Sequence, residues 1–148
     1  MLQMAHVGIY VQDLEATTAF YKNVFGMHVL CENVMQEDDL IADLLCGEGT
    51  AVRVTKLITE KGKVSGSGDM LELLQVVNKQ FGVSHGVVCS AGRAHCCFWV
   101  KGIRGFVARV VIHGGLQCTK IHTMDNGNLC CFVQDNERNW IELIEHRK

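Results

Sequence analysis

Apolar and polar positions near the start of the chain follow first a strand pattern and then a helix pattern. A nearly continuous apolar run over Ala5–Val11 predicts a mostly buried strand. Apolar residues then recur at helical spacing over Leu14–Phe25, with Asp13 as a helix N-cap and Gly26 as a stop. Three further strands are predicted at Met27–Glu32, Ala51–Leu57 and Met70–Val77. This half of the chain is therefore predicted to be a β-α-β-β-β unit.

The same pattern occurs a second time. His6–Val11 aligns with His95–Val100 at an offset of 89 residues, and Glu72–Gln75 aligns with Glu142–Glu145 at an offset of 70. The first half is therefore 19 residues longer in its middle, within the polar and glycine-bearing stretch Glu32–Gly68. The later strands of the second half are predicted at Leu116–Thr119, Asn128–Gln134 and Trp140–Ile144.

This repeat predicts an α+β fold in which two β-α-β-β-β modules form a curved, cup-shaped mixed sheet. The length of 148 residues is that of one domain, so we predict a single domain over residues 1–148. Module 1 covers about residues 3–77 and module 2 about residues 93–147. A connector of residues 78–92, which contains glycine and serine, joins them.

Composition narrows the functional classes. A hydrophobic content of 48% and a charged content of 20% are those of a globular protein. The net charge of -2 gives no electrostatic reason to expect nucleic acid or a membrane surface as partner. No apolar run is long enough for a membrane span, and no signal peptide is recognisable, so we expect a cytoplasmic protein. Eight cysteines without a CxxC spacing are then expected to be reduced thiols.

Two histidines and two glutamates stand at equivalent positions of the repeat. Because strand side chains alternate between faces, His6 shares a face with Gly8 and Tyr10, and His95 shares one with Cys97 and Trp99.

Glu72 and Glu142 stand among apolar neighbours, where an ionised carboxylate is costly unless it is paired or binds a metal. The symmetric set His6, Glu72, His95 and Glu142 predicts one site for a divalent metal ion, and the same ligands accept Ni, Co, Zn, Mn or Fe(II).

Simpler interpretations of these residues stay open. A single histidine in an apolar strand is more often a hydrogen-bonded core residue than a ligand, and Glu72 could face solvent at a sheet edge. Glu145 competes with Glu142 for the ligand role. However, Glu145 lies on the opposite face of the strand and aligns with Gln75, a neutral residue. This comparison favours Glu142.

The residues around these positions resemble a known family. His6–Glu15, followed by Phe20-Tyr21 and Phe25-Gly26, is similar to the opening motif of the vicinal oxygen chelate superfamily, which includes glyoxalases, bleomycin-resistance proteins and dioxygenases. Phe132–Asp135 and Asn139–Glu145 resemble its closing motif. The resemblance implies paired β-α-β-β-β modules around a metal ion, with the predicted ligands at the four ligand positions.

Two histidines with two glutamates resemble the ligand sets of glyoxalase I and of acyl-CoA epimerases. The chain departs from glyoxalase I at Tyr10, where an arginine that holds glutathione is usual, and at Val76, where an asparagine is usual. It also departs from methylmalonyl-CoA epimerase, because Arg53 is the nearest match to a second catalytic glutamate. The substrate therefore stays open, and Arg53 is either an anion-binding residue or a solvated strand residue.

The resemblance implies lyase or isomerase chemistry on a small substrate. The ion would bind a carbonyl and an adjacent oxygen of the substrate, and Glu142 or Glu72, preferably Glu142, would take the proton α to that carbonyl. Tyr10, Trp99 and Trp140 are predicted to line the pocket, or else are core aromatics.

Two other functions and the assembly stay open as well. One alternative is a non-catalytic protein that binds or sequesters a small molecule such as an antibiotic. Another is an Fe(II) ring-cleaving dioxygenase. We expect a homodimer, in which the modules pair within one chain or between two chains.

Overall fold

A computed structural model describes residues 2, 4–45, 49–66, 68–77 and 91–146. The chain divides into two compact units. The first comprises Met1–Lys22 with Gly26–Gly82, and the second comprises Asn23–Phe25 with Val83–Lys148. Most of the predicted connector, residues 78–90, lies outside the described residues. No helix among the described residues is long and apolar enough to cross a membrane.

The first unit contains a mixed four-stranded sheet in the order β1-β4-β3-β2. These elements are β1 (Val7–Tyr10), α1 (Leu14–Phe25), β2 (His28–Gln36), α2 (Asp39–Leu45), β3 (Ala51–Ile58), α3 (Glu60–Ser65) and β4 (Met70–Val77). Strand β1 runs parallel to β4, whereas β3 is antiparallel to both β2 and β4.

Helix α1 begins and ends where its sequence predicts. The Asp13 carboxylate accepts a hydrogen bond from the Ala16 amide at 2.9 Å, which satisfies one of the unpaired donors of the first turn. Gly26 closes the helix with a φ of 66°, in the left-handed region that glycine tolerates.

The longer middle of module 1 contains two short helices that the sequence pattern did not predict. Asp38 caps α2 through a 2.9 Å hydrogen bond from the Ile41 amide, and Thr59 caps α3 through a 3.0 Å bond from the Gly62 amide. Helix α2 then covers one end of the sheet, where Ile41 packs with Val52, Val54 and Leu74.

The second unit contains a mixed sheet in the order β5-β9-β8-β6, with β7 also paired to β8. These elements are β5 (Cys96–Trp99), α4 (Ile103–Ile112), β6 (Leu116–Gln117), β7 (His122–Thr123), β8 (Leu129–Gln134) and β9 (Trp140–Glu145). Helix α4 contacts β6, β8 and β9. Strand β9 buries Ile141 and Leu143, which leaves the alternate residues Trp140, Glu142 and Ile144 on the other face.

The predicted fold class is confirmed in its main features. Each half of the chain has the order strand, helix, strands, and each half forms one mixed sheet in which its first strand is parallel to its last. The strand predicted at Leu116–Thr119 is shorter, ending at Gln117, and β7 was not predicted.

Candidate metal site

The first candidate half-site consists of His6 and Glu72, and we call it the module 1 half-site. His6 directly precedes β1, and Glu72 lies in β4 opposite Gly8 in the parallel register. The His6 Nε2 atom lies 3.2 Å from Glu72 Oε2, with side-chain exposures of 40% and 14%. A carboxylate this buried needs a partner, and the imidazole is one.

The module 2 half-site, His95 and Glu142, repeats this arrangement. His95 directly precedes β5, and Glu142 lies in β9 opposite Cys97. The His95 Nε2 atom lies 3.3 Å from Glu142 Oε2, with side-chain exposures of 38% and 19%. The ring of Phe132 meets the His95 ring edge-on, with centroids 5.2 Å apart. Each unit thus contains one histidine and one glutamate of the predicted set in contact with each other.

The separation between the two donor atoms of each half-site fits a shared metal ion. With metal–ligand bonds of about 2.0–2.2 Å, neighbouring donors lie about 3.0 Å apart in octahedral geometry and about 3.4 Å apart in tetrahedral geometry. The observed 3.2 and 3.3 Å fall within that range. Each pair offers two candidate donors. Among the described residues, no three His, Cys, Asp or Glu side chains group closely enough to hold an ion.

Lys56 makes the module 1 half-site different from its counterpart. It lies in β3 directly opposite Glu72, and its Nζ atom is 3.2 Å from Glu72 Oε1. Both carboxylate oxygens of Glu72 are therefore engaged, one by His6 and one by Lys56. The residue opposite Glu142 in β8 is Phe132, which carries no charge.

Two thiols flank Glu142 in place of an ammonium group. Cys130 Sγ lies 3.3 Å from Glu142 Oε1 and donates a hydrogen bond to it, and Cys97 lies opposite Glu142 in the register of β5 with β9. Burial, followed by the hydrogen bond to Glu142, raises the pKa of Cys97 to about 12 and that of Cys130 to about 11. Both groups are therefore neutral thiol donors at neutral pH.

The predicted aromatic residues lie on the same sheet faces as the half-sites. Tyr10 is opposite Leu74, two residues beyond Glu72, and its side chain is exposed. Trp99 is opposite Ile144, two residues beyond Glu142, and stacks on His146 with ring centroids 3.7 Å apart.

Trp140 stands two residues before Glu142 and meets the Phe132 ring edge-on. Its Nε1 atom is buried and finds no hydrogen-bond partner among the described residues. Each of these faces therefore carries aromatic side chains beside its His–Glu pair.

Arg53 does not join this group. It lies in β3 three residues before Lys56, within an unbroken register with β4, so it projects from the opposite face of the sheet. Its cross-strand neighbour is Gln75 rather than Glu72. The charged β3 residue that faces the half-site is Lys56, which lies directly opposite Glu72. The local sequence pattern gave no signal for it, because the choice depends on the register between β3 and β4.

Glu145 has a different function from that of a ligand. Its carboxylate accepts hydrogen bonds from the Gly102 amide at 2.7 Å and from the Ile103 amide at 3.0 Å. It therefore caps the N-terminus of α4, where Gly102 has no side chain to do so. The assignment of the ligand role to Glu142 rather than to Glu145 stays a prediction.

Comparisons with known proteins identify a family that covers both modules of the repeat. Residues 3–143 match the model of the Glyoxalase/Bleomycin resistance protein/Dioxygenase superfamily. The chain belongs to this superfamily. No curated protein matches the sequence significantly.

Solved structures share the fold at low sequence identity. A glyoxalase family protein from Bacillus cereus is 20% identical with a TM-score of 0.84, covering 98% of this chain and 94% of that one. The trypanothione-dependent glyoxalase I of Leishmania major is 21% identical with a TM-score of 0.63, covering 98% of this chain and 87% of that one. A glyoxylase/bleomycin resistance protein/dioxygenase domain from Frankia is 14% identical with a TM-score of 0.69, covering 99% of both chains. At these identities the likeness shows the fold alone.

Proposed function

We propose that this chain is a divalent-metal-dependent enzyme of the glyoxalase-like type, which removes a proton α to a carbonyl of a small chelating substrate. The observation that carries this proposal is the recurrence of one His–Glu pair, with nearly equal donor separations, at equivalent positions of both modules. Packing alone gives no reason for a repeat to keep two partly buried glutamates beside two histidines.

His6, Glu72, His95 and Glu142 would hold the ion, with the two half-sites coming from one chain or from two. Two imidazoles and two carboxylates suit Ni, Co, Zn, Mn or Fe(II) and leave positions for substrate oxygens. When bound, the ion would act as a Lewis acid on the substrate carbonyl.

In this mechanism Glu142 accepts the α proton of the substrate. A general base must be able to approach the proton that it takes, and Glu142 is held by a neutral thiol and an imidazole rather than by an ammonium group. Glu72 would remain the second carboxylate ligand. Tyr10, Trp99 and Trp140 would form the aromatic walls that limit access of water.

The kind of substrate, the oligomeric state and the cellular location are further parts of this proposal. We propose a small-molecule substrate, a homodimer and a cytoplasmic location. The six cysteines within the described residues are free thiols, which supports a reducing compartment such as the cytoplasm. Size-exclusion chromatography with light scattering tests the dimer, since it separates a mass of 16.4 kDa from twice that value.

Deuterium exchange at carbon tests the chemistry. The metal-loaded protein is incubated in heavy water with 2-oxo acids, hemithioacetals and acyl thioesters, and deuterium uptake is followed by NMR. Glu142→Gln should abolish uptake, because the amide cannot accept the proton. Glu145→Gln is the matched control, since it changes the same strand on the opposite face and should keep uptake.

Two results would contradict the proposed enzymatic function. Uptake unchanged by Glu142→Gln would remove that residue from the mechanism. Absence of uptake with every compound, combined with tight binding of one of them, would favour the sequestering function instead.

A further inference from the structure

The two half-sites differ in one charged residue. In module 1 the residue opposite the glutamate is Lys56, and in module 2 it is Phe132. Because only Glu72 faces a charged residue on the neighbouring strand, the carboxylates of Glu72 and Glu142 are not equivalent. The question is what the ammonium group does to Glu72.

Lys56 holds Glu72 more firmly than the thiols hold Glu142. Its ammonium group lies 3.2 Å from Oε1, and its side chain is only 34% exposed, so this ion pair is partly shielded from water. Charge-assisted hydrogen bonds are about twice as strong as neutral ones, and a thiol is a weak donor. The hydrogen bond to Oε1 of Glu142 comes from the thiol of Cys130, at 3.3 Å.

The atoms that Lys56 and His6 engage are different. Lys56 meets Oε1, and His6 meets Oε2. Of the two oxygens, Oε2 is thus the one that stands beside the other predicted ligand. A carboxylate whose Oε1 is held by an ammonium group can offer one oxygen to an ion but cannot chelate it with both.

We propose that Lys56 is a positioning residue that holds Oε1 of Glu72 and thereby restricts Glu72 to one-oxygen ligation of the proposed ion. This inference rests on the proposed metal site. It adds how Glu72 would bind the ion and names the residue that imposes that mode of binding.

The test is a cobalt titration of the metal-free protein, followed by calorimetry and by the visible absorption of Co(II). Lys56→Met removes the charge and keeps a side chain of similar length. Without the ammonium group, Glu72 should chelate through both oxygens, which raises the coordination number and weakens the Co(II) absorption bands.

The affinity should change in the same experiment. A unit positive charge beside a divalent ion weakens binding about tenfold even at high dielectric, so Lys56→Met should bind Co(II) about tenfold more tightly. Lys56→Arg should keep the wild-type affinity and spectrum, because it restores the charge. Lys63→Met, on the exposed surface of α3, is the matched charge-removal control and should change neither.

The outcomes separate this inference from the proposed function. If the wild-type chain binds Co(II) but Lys56→Met leaves both affinity and spectrum unchanged, Lys56 does not position Glu72. If Lys63→Met has the same effect as Lys56→Met, the effect is one of net charge, and the inference is again wrong. If no variant binds a metal ion, the metal site itself is wrong, and this role of Lys56 is lost with it.

Discussion

At the scale of single residues, Gln75 and Glu145 occupy equivalent positions but support their modules differently. Helix α1 is capped by Asp13 from its own N-terminus, and Gln75 donates a hydrogen bond to the Gln12 carbonyl. Helix α4 begins at Gly102, and Glu145 provides the missing cap from the neighbouring strand. The glycine and the glutamate thus compensate for each other.

Glu145→Ala should lower the free energy of unfolding by about 1–2 kcal/mol, the range for loss of a helix cap. Two amides of the first turn of α4 lose their acceptor in this variant. Denaturant unfolding measures the change. Gln75→Ala is the control and should cost less, because Asp13 still caps α1; an equal loss in both variants would argue against the capping role.

The thiol of Cys97 reports on Glu142 in the metal-free protein. Because the pKa of Cys97 is raised to about 12, the fraction of reactive thiolate stays small at pH 8–9 and increases toward pH 12. Glu142→Gln removes the negative charge and the ionised acceptor that help to raise this pKa, so alkylation of Cys97 at pH 9 should become several-fold faster.

Peptide mapping by mass spectrometry gives the alkylation rate of each cysteine. Cys118 provides the internal control, because the causes that raise its pKa do not include Glu142. An unchanged rate at Cys97 would show that Glu142 does not face this thiol.

At the scale of secondary structure elements, the sequence predicted the repeated core well and the extra segment poorly. The strands that carry Glu72 and Glu142 have clear apolar patterns, and the structure has them as β4 and β9. Helices α2 and α3 are only 7 and 6 residues long, too short for a helical period to be distinct. Their caps, Asp38 and Thr59, were the available signals.

Helix α2 is bound to the sheet through Ile41, which is 5% exposed, whereas its neighbour Leu40 is 72% exposed. Ile41→Ala should therefore destabilise the chain by about 2–4 kcal/mol, the usual cost of truncating a core residue. Leu40→Ala should change stability little. Thermal unfolding of the two variants tests this packing, and equal effects would mean that α2 does not dock through Ile41.

The choice between Arg53 and Lys56 shows what the sequence could not decide. Both residues lie in one predicted strand, and three positions separate them, so they project from opposite faces. Only the register of β3 against β4 identifies which one faces Glu72. That register depends on cross-strand pairing rather than on local pattern. Arg53 therefore lies on the face away from Glu72, and its role in binding a substrate anion stays a prediction.

At the scale of the whole molecule, the internal repeat predicted more of the fold than any single motif did. The alignment of the two halves predicted the two-module fold, and the opening and closing motifs indicated the superfamily. The alignment also singled out His6, Glu72, His95 and Glu142, whose role as metal ligands stays a prediction. It could not predict the differences between the modules. Lys56, the thiols beside Glu142 and the cap from Glu145 are all features in which the halves diverge.

The central claim is that the two half-sites together hold one divalent ion. Metal analysis of natively purified protein by mass spectrometry tests it directly, against a His6→Ala/His95→Ala variant whose circular dichroism and melting temperature confirm that it folds. We predict close to one transition-metal ion per wild-type chain and little in the variant, because each half-site loses its imidazole. Equal metal content in the two folded proteins would contradict the account.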